Sequence, residues 1–248
     1  MIVLKSPEEM ALMREAGRVV ANALAALKRA VSPGIVTAEL DALAHQVITS
    51  EGAIPSFKGY RGFPASVCVS VNEEVVHGIP GEKVLKEGDI VSLDLGAILE
   101  GYHGDAAVTM GVGKISEKAR RLVAVTFGAL WAGIFQAKPG DHVGDISWAI
   151  QDYVESRGYS VVREYVGHGI GREMHEPPQI PNFGEPGTGP PLEVGMTFAL
   201  EPMVNMGGYR TKVREDEWTV VTADGSLSAH FEHTLAITSN GPEILTKL

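Results

Sequence analysis

The stretch SLDLGAILEGYHGD, residues 92–105, has the pattern of two strands around a turn and carries an aspartate in each arm. With the turn centred near Leu99 and Glu100, the acids Asp94 and Asp105 would lie opposite one another on one face of a β-hairpin. Like charges directly across a strand pair destabilise it, so the two acids are either exposed to solvent or hold a cation. Their neighbours along both arms are apolar, which predicts a half-buried sheet and favours the bound cation.

Composition limits the classes of function. The chain has 248 residues, is 44% hydrophobic and carries a formal net charge of −10. That charge argues against a nucleic-acid partner, since phosphate binding needs clustered lysine and arginine. Cys68 is the only cysteine, so neither an intrachain disulfide nor a thiolate metal cluster can form. No apolar run matches a signal peptide or a membrane span. We therefore expect a cytoplasmic protein without a membrane or nucleic-acid partner.

The order of predicted elements is two helices, then strands, and then the same again. The predicted helices begin at Ser6, which forms a capping box with Glu9, at Thr37 as the cap of a helix ending at Gly52, at Ser116 and at Val143. The third is expected to end near Pro139 and the fourth near Gly158. Strands are predicted at Ser66–Val71, Ile90–Ala97, Ala106–Val112, Arg163–Gly167, Met196–Val204, Trp218–Thr222 and Ala229–Thr238.

This repeated order predicts an internal duplication. The segment LKEGDIVSLDLGAILEGY from Leu85 aligns with LEVGMTFALEPMVNMGGY from Leu192, and the alignment places Asp94 on Glu201. A carboxylate that falls on a carboxylate indicates that each half contributes acids to a shared centre. We therefore expect a single catalytic domain over 1–248, made of two halves at about 1–113 and 114–248.

The second half contributes further oxygen and nitrogen ligands. Glu201, Glu232 and His168 each interrupt a stretch that is otherwise apolar or glycine-rich. One such residue alone is more often a hydrogen-bonded structural group than a ligand. Together with Asp94 and Asp105, they form a set of four carboxylates and one imidazole that suits Mn, Fe, Co or Zn at a two-metal site. The motifs HExxH, GxSxG and GxxxxGK[ST] are absent, which leaves hydrolysis by a metal-activated water.

Five sequence motifs contain these ligands or precede them in the chain. They are SVNEEVVHGIP (70–80), the two aspartates separated by ten residues, GHGIGREMHEPPQIPN (167–182), FALEPM (198–203) and FEHTLAIT (231–238). In this order the set resembles the type I methionine aminopeptidases in their short bacterial form, over nearly the whole chain. The resemblance implies an α/β (α+β) pita-bread fold, with two pseudo-twofold-related halves of antiparallel sheet and covering helices.

The resemblance also implies residue roles. It places Asp94 on one metal, His168 and Glu201 on the other, and Asp105 and Glu232 as bridges between the two. The metals would be two divalent ions, with Co, Mn, Fe and Zn all left open. Glu201 would also shuttle the proton.

Two histidines and an apolar pocket complete the implied site. His175 would stabilise the oxyanion, and His77 would hydrogen-bond the backbone of the second substrate residue. The implied methionine pocket consists of Phe57, Tyr60, Phe63, Cys68, Met174 and Trp218. The chain departs from the family pattern at Met174, where many relatives have Phe, and at Glu176-Pro177-Pro178, where Glu-Glu-Pro is commoner.

The resemblance implies removal of the initiator methionine from peptides and nascent chains whose second residue is small. It also implies a transient ribosome contact, and we expect a monomer. Two alternatives stay open. An X-Pro peptidase of the same fold is disfavoured by NEEVVHGIP, by FEHT and by a chain too short for an additional domain. A non-catalytic peptide-binding relative is disfavoured because all five ligands are present.

Overall fold

The structure is a computed structural model that describes residues 1–247. Its helices are Pro7–Ala30 (α1), Thr37–Ser50 (α2), Glu117–Gln136 (α3) and Val143–Glu155 (α4). Its strands are Ile54–Pro55 (β1), Cys68–Val71 (β2), Glu74–Val76 (β3), Ile90–Leu99 (β4), Tyr102–Gly111 (β5), Ser160–Val161 (β6), Gly167–Gly169 (β7), Glu176–Ile180 (β8), Thr197–Leu200 (β9), Met203–Asn205 (β10), Thr211–Val213 (β11), Val220–Thr222 (β12), Ser228–His230 (β13), Glu232–Thr238 (β14) and Gly241–Ile244 (β15). Within residues 1–247, no helix combines the length and the apolar character that crossing a bilayer requires.

The helix starts follow their capping residues. Ser6 Oγ accepts the backbone N–H of Glu9, whose carboxylate accepts the N–H of Ser6, so the predicted capping box is confirmed. Ser116 caps α3, as predicted. Thr37 is not a cap. Val36 occupies that position, because the Thr37 hydroxyl exchanges hydrogen bonds with the backbone of Gly81.

The nine-stranded sheet determines where the site lies. Its strand order is β1–β4–β5–β14–β9–β7–β8, with β2 also paired to β4 and β15 to β14, and its pairings are antiparallel. Leu93 and Leu95 face α1 and α2, while Phe198 and Leu200 face α3 and α4. Helices therefore cover one face, and residues that alternate with these leucines point to the other face. The predicted architecture of helices on an antiparallel sheet is confirmed, whereas the division near residue 113 stays a prediction.

The turn of the central hairpin lies one residue later than predicted. Leu99 pairs with Tyr102, and the two turn residues Glu100 and Gly101 have φ values of 50° and 78°. Positive φ at both positions is typical of a two-residue hairpin turn of type I′. Asp94 consequently pairs with Ala107 and Asp105 with Gly96, so the prediction that the two acids lie directly opposite is wrong. They lie on the same face in a diagonal arrangement.

Three other strand predictions need correction. The predicted strand 196–204 is interrupted at Glu201-Pro202, since proline has no N–H for the ladder. The predicted strand 229–238 is interrupted at Phe231. The segment 163–166 is irregular, and the strand there is Gly167–Gly169. Both interruptions lie at or beside glutamates of the candidate site, and at each the chain passes between the nine-stranded sheet and a three-stranded sheet.

Candidate functional site

Two neighbouring rows of cross-strand partners carry the predicted acidic ligands on the face of the sheet opposite the helices. In the first row Cys68 pairs with Asp94, Asp94 with Ala107, and Ala107 with Glu232. Cross-strand partners point to the same face, so Asp94 and Glu232 lie on either side of the small Ala107 side chain. A methyl group between two carboxylates leaves room for an ion.

The second row begins at Asp105. Its N–H donates to Thr234 Oγ1 at 2.9 Å, and the Thr234 hydroxyl donates to its carbonyl at 2.8 Å. Thr234 pairs with Ala199, and Ala199 pairs with His168. Asp105 and His168 therefore share the face used by Asp94 and Glu232, with another alanine between them.

Glu201 joins this group from the interruption after β9. Its Oε1 lies 3.5 Å from His168 Nε2, and its backbone carbonyl accepts a hydrogen bond from Asn182 Nδ2 at 3.1 Å. One ligand atom each of Asp105, His168 and Glu232 lie within 4.8 Å of one another, and the same holds for Glu201, His230 and Glu232. These separations allow the atoms of each group to contact one ion.

The carboxylates are buried, and no lysine or arginine among residues 1–247 forms an ion pair with them. Asp94 Oδ1, Asp105 Oδ1 and Glu232 Oε1 have no hydrogen-bond partner within residues 1–247. A buried carboxylate oxygen without a donor is costly, and bound cations are a common reason for keeping one. The residues present therefore fit a metal centre.

Burial determines the protonation of these acids. It raises the pKa of Asp94, Glu201 and Glu232 well above the usual range, and neighbouring carboxylates raise them further. Burial raises the pKa of Asp105 to about 7. An added cation would lower all four pKa values, because an opposite charge favours the ionised form.

His168 is held in the form that ligates metals. Burial, with a smaller contribution from His175, lowers its pKa to about 3, so the ring is neutral. Its Nδ1–H donates to Gly169 O at 2.9 Å, which leaves the Nε2 lone pair facing the carboxylates. The contact between His168 and Glu201 is therefore not an ion pair.

His175 lies beside this group and is oriented by Tyr60. The Tyr60 hydroxyl oxygen lies 2.8 Å from His175 Nδ1, within hydrogen-bond distance, and the two rings stack with centroids 5.4 Å apart. The His175 and His168 ring centroids are 4.1 Å apart. Burial and the nearby Arg61 lower the pKa of His175. A neutral ring that accepts at Nδ1 carries its proton on Nε2, so His175 can donate there.

His77 lies on the other side, next to aromatic rings. Its φ of 60° is left-handed, and its ring makes edge contacts with Tyr165 at 5.7 Å and Trp218 at 6.3 Å. Burial, and then His175, lower the pKa of His77 to about 4. His77 is therefore neutral near pH 7, with one N–H to donate.

An apolar wall closes the far end of the cavity. Phe63 packs edge-on against Phe57, with centroids 6.5 Å apart, and against Trp218 at 5.2 Å. The whole cavity has a volume of about 150 Å³, and its lining residues are Phe57, Tyr60, Arg61, Phe63, Cys68, His77, Asp94, Asp105, His168, Met174, His175, Glu201, Trp218 and Glu232. The structure thus brings the thirteen predicted site residues together around one cavity.

Two residues near this site were missed by the sequence analysis. Arg61 lines the cavity with a φ of 50°, and its guanidinium lies 5.3 Å from the Tyr60 ring centroid. His230 is buried beside Glu201 and Glu232. The spacing of His230 and Glu232, two residues apart, was the available signal, because strand alternation places such residues on one face.

Comparisons with known proteins agree with this geometry. The model of the family described as metallopeptidase family M24 matches residues 11–239. A methionine aminopeptidase of Clostridium perfringens is 58% identical over 246 residues, which cover 99% of each chain. A crystal structure of the methionine aminopeptidase of Thermotoga maritima superimposes with a TM-score of 0.99 at 53% identity, over 100% of both chains. The prolidase of Pyrococcus furiosus gives a TM-score of 0.80 at 25% identity, over 99% of this chain and 66% of that one. The predicted pita-bread fold is confirmed.

Proposed function

The chain belongs to metallopeptidase family M24, and from that premise we propose that it removes N-terminal methionine from peptides and nascent chains with a small second residue. The observation that supports this most is the cavity itself, which has buried carboxylates at one end and an apolar wall at the other. Acids suit a cationic α-amino group, and the wall suits an unbranched apolar side chain. A site with these two ends selects an apolar residue at a free N-terminus.

We assign the metal ligands as Asp94, Asp105, His168, Glu201 and Glu232, with Asp105 and Glu232 as bridges between two divalent ions. The unpartnered carboxylate oxygens and the free Nε2 lone pair of His168, which faces the carboxylates, support this set. Four carboxylates and one imidazole suit Mn, Fe, Co or Zn, and the choice among them is open. When bound, such ions acidify a water enough for it to attack a peptide bond at neutral pH.

The remaining side chains bind and orient the substrate. Glu201 accepts a proton from the attacking water in this proposal and returns it to the leaving amine. His175 donates from Nε2 to the scissile carbonyl oxygen as negative charge develops there, and Tyr60 keeps it in the donating tautomer. His77 donates to the backbone of the second residue.

The apolar wall holds the methionine side chain. Phe57, Phe63, Cys68 and Met174 belong to one buried apolar cluster, and Tyr60 and Trp218 pack against it. Burial raises the pKa of the Cys68 thiol, so it acts here as a small apolar group. Nascent chains are the expected source of substrate, and the ribosome contact and monomeric state stay predictions.

A comparison of two peptides tests this function. Protein loaded with Mn²⁺ should release methionine from Met-Ala-Ser and leave an Ala-Pro peptide intact, whereas the Asp105→Asn variant should cleave neither peptide. Faster cleavage of the Ala-Pro peptide would instead support the X-Pro peptidase. No cleavage of either peptide with two bound metal ions would support the non-catalytic alternative.

A further inference from the structure

His230 is a buried histidine whose side chain has no hydrogen bond. It is 1% exposed, and neither ring nitrogen has a partner within residues 1–247. A buried imidazole must place one N–H somewhere, and leaving that donor unpaired costs about 1–3 kcal/mol. The position of the ring therefore needs a functional explanation.

The backbone holds this ring in a fixed place. The His230 N–H donates to Thr109 Oγ1 at 2.8 Å, and the Thr109 hydroxyl donates back to His230 O at 2.7 Å. Ser92 Oγ lies 2.7 Å from the same Thr109 oxygen, which anchors it further. These bonds tie the end of β13 to β5 immediately before the strand interruption, so they determine where the imidazole points.

The ring faces the second oxygen of each of two proposed ligands. His230 Nε2 lies 3.7 Å from Glu201 Oε2 and 3.9 Å from Glu232 Oε2. The other oxygen of Glu201, Oε1, faces His168 Nε2, and Glu232 Oε1 has no partner in the described chain. His230 thus approaches the Glu201 oxygen that faces away from His168 and one oxygen of the proposed bridging residue Glu232.

A comparison with His168 distinguishes a ligand from an orienting group. A ligating histidine normally donates its other N–H to a fixed acceptor, as His168 does to Gly169 O. His230 Nδ1 has no such acceptor among residues 1–247, whereas two carboxylates face Nε2. The N–H of His230 therefore belongs on Nε2, where it is a donor and not a metal ligand.

We propose that His230 is a positioning residue of the metal centre, whose Nε2–H is shared between Glu201 Oε2 and Glu232 Oε2. The contact orients both glutamates towards the metal centre, and a carboxylate oxygen can accept this N–H and still bind metal because it has two lone pairs. At 3.7 and 3.9 Å these contacts are longer than hydrogen bonds, and the proposal requires them to shorten when metal binds. This inference rests on the proposed dinuclear centre.

The test compares two replacements of one side chain. His230→Leu removes the donor, while His230→Gln keeps an amide N–H of similar reach. Isothermal titration with Mn²⁺ should show affinity about 10–100-fold weaker for His230→Leu and close to wild type for His230→Gln. Circular dichroism of the metal-free variants checks that both are folded.

His233→Leu is the matched control. His233 lies on β14 nearby, and its Nδ1 contacts Thr246 Oγ1 at 2.8 Å on the helix-covered side of the sheet. Its removal deletes an imidazole from the same region without touching the glutamates. Mn²⁺ affinity should therefore be unchanged in this variant.

The outcomes test the positioning role of His230 separately from the proposed function. Wild-type Mn²⁺ affinity in His230→Leu would overturn the positioning role. Equal losses in His230→Leu and His230→Gln would overturn it too, because they would mean that the imidazole itself ligates metal. If the wild-type protein bound no Mn²⁺, the proposed function would fail as well, which the wild-type titration reveals separately.

Discussion

At the scale of single residues, the buried acids are the first claim to test. Asp105→Asn keeps the shape of the side chain but removes the charge that the proposal places between two cations. We expect Mn²⁺ affinity and Met-Ala-Ser cleavage to fall together. Each should fall by more than about 100-fold, since loss of a group that only orients a metal ligand already costs about 10–100-fold. Titration calorimetry and a peptide assay measure the two quantities. The exposed Asp152→Asn is the control, and near-normal turnover in Asp105→Asn would contradict the bridging role.

His175 should separate catalysis from metal binding. His175→Ala removes a donor aimed at the developing oxyanion but none of the proposed ligands. We expect kcat to fall roughly 10²-fold or more with the metal content unchanged. Metal analysis beside steady-state kinetics makes the check. An equal loss of bound metal would show that His175 is a ligand.

Tyr60 should affect kcat because its hydroxyl fixes the tautomer of His175. Tyr60→Phe keeps the ring but removes the hydroxyl that lies 2.8 Å from His175 Nδ1 and that the proposal makes its donor. The loss of one hydrogen bond predicts a decrease in kcat of about two- to tenfold, with little change in KM. If Tyr60→Phe raised KM at constant kcat, the hydroxyl would contact substrate instead.

At the scale of elements, the Glu100-Gly101 turn determines how Asp94 and Asp105 are placed. Gly101 has a φ of 78°, which strains any residue with a Cβ, and alanine there should cost about 1–2 kcal/mol of stability. Gly101→Asn should cost less, because asparagine tolerates the left-handed region. Urea unfolding of both variants tests this. Equal stability of Gly101→Ala and the wild type would contradict the turn assignment.

The arrangement of the strands also explains which site residues could be predicted from the sequence. Asp94 and Asp105 followed from a local hairpin pattern, and Glu201 from its alignment with Asp94 in the duplication. The hairpin register was predicted wrongly. A shift of the turn by one residue moves each cross-strand partner by two residues, so Asp94 pairs with Ala107. His230 was missed, since its contact with Glu201 depends on how β13 approaches the end of β9. The assignments of His77 and His175 came only from the family resemblance.

At the scale of the whole molecule, the buried titratable groups predict a pH dependence of stability. Asp94, Asp105, Glu201 and Glu232 have raised pKa values, so the folded state holds their protons longer than the unfolded state does. These acids alone make the metal-free protein less stable as pH rises.

The buried histidines oppose this effect below pH 6.5 only. Burial lowers the pKa of His77 and His103 to about 4 and that of His168 to about 3, so the unfolded state binds more of their protons up to its own pKa of 6.5. Above pH 6.5 the acids act alone. We expect the free energy of unfolding of the metal-free protein to fall between about pH 6.5 and 8.

Bound Mn²⁺ should remove this decline in the free energy of unfolding, because a cation stabilises the ionised acids. In the metal-free protein, Asp105→Asn should make the decline smaller, because one of the titrating acids is gone. Urea unfolding at several pH values measures the slope. A metal-free protein that gained stability over this pH range would contradict the charge assignment of the cavity.

The most direct test of the central claim is a crystal structure with Mn²⁺ and methionine, with anomalous scattering measured at the manganese edge. We predict two anomalous peaks among Asp94, Asp105, His168, Glu201 and Glu232, with the methionine side chain against Phe57 and Phe63. A single peak, peaks elsewhere, or a methionine bound away from this cavity would contradict the account.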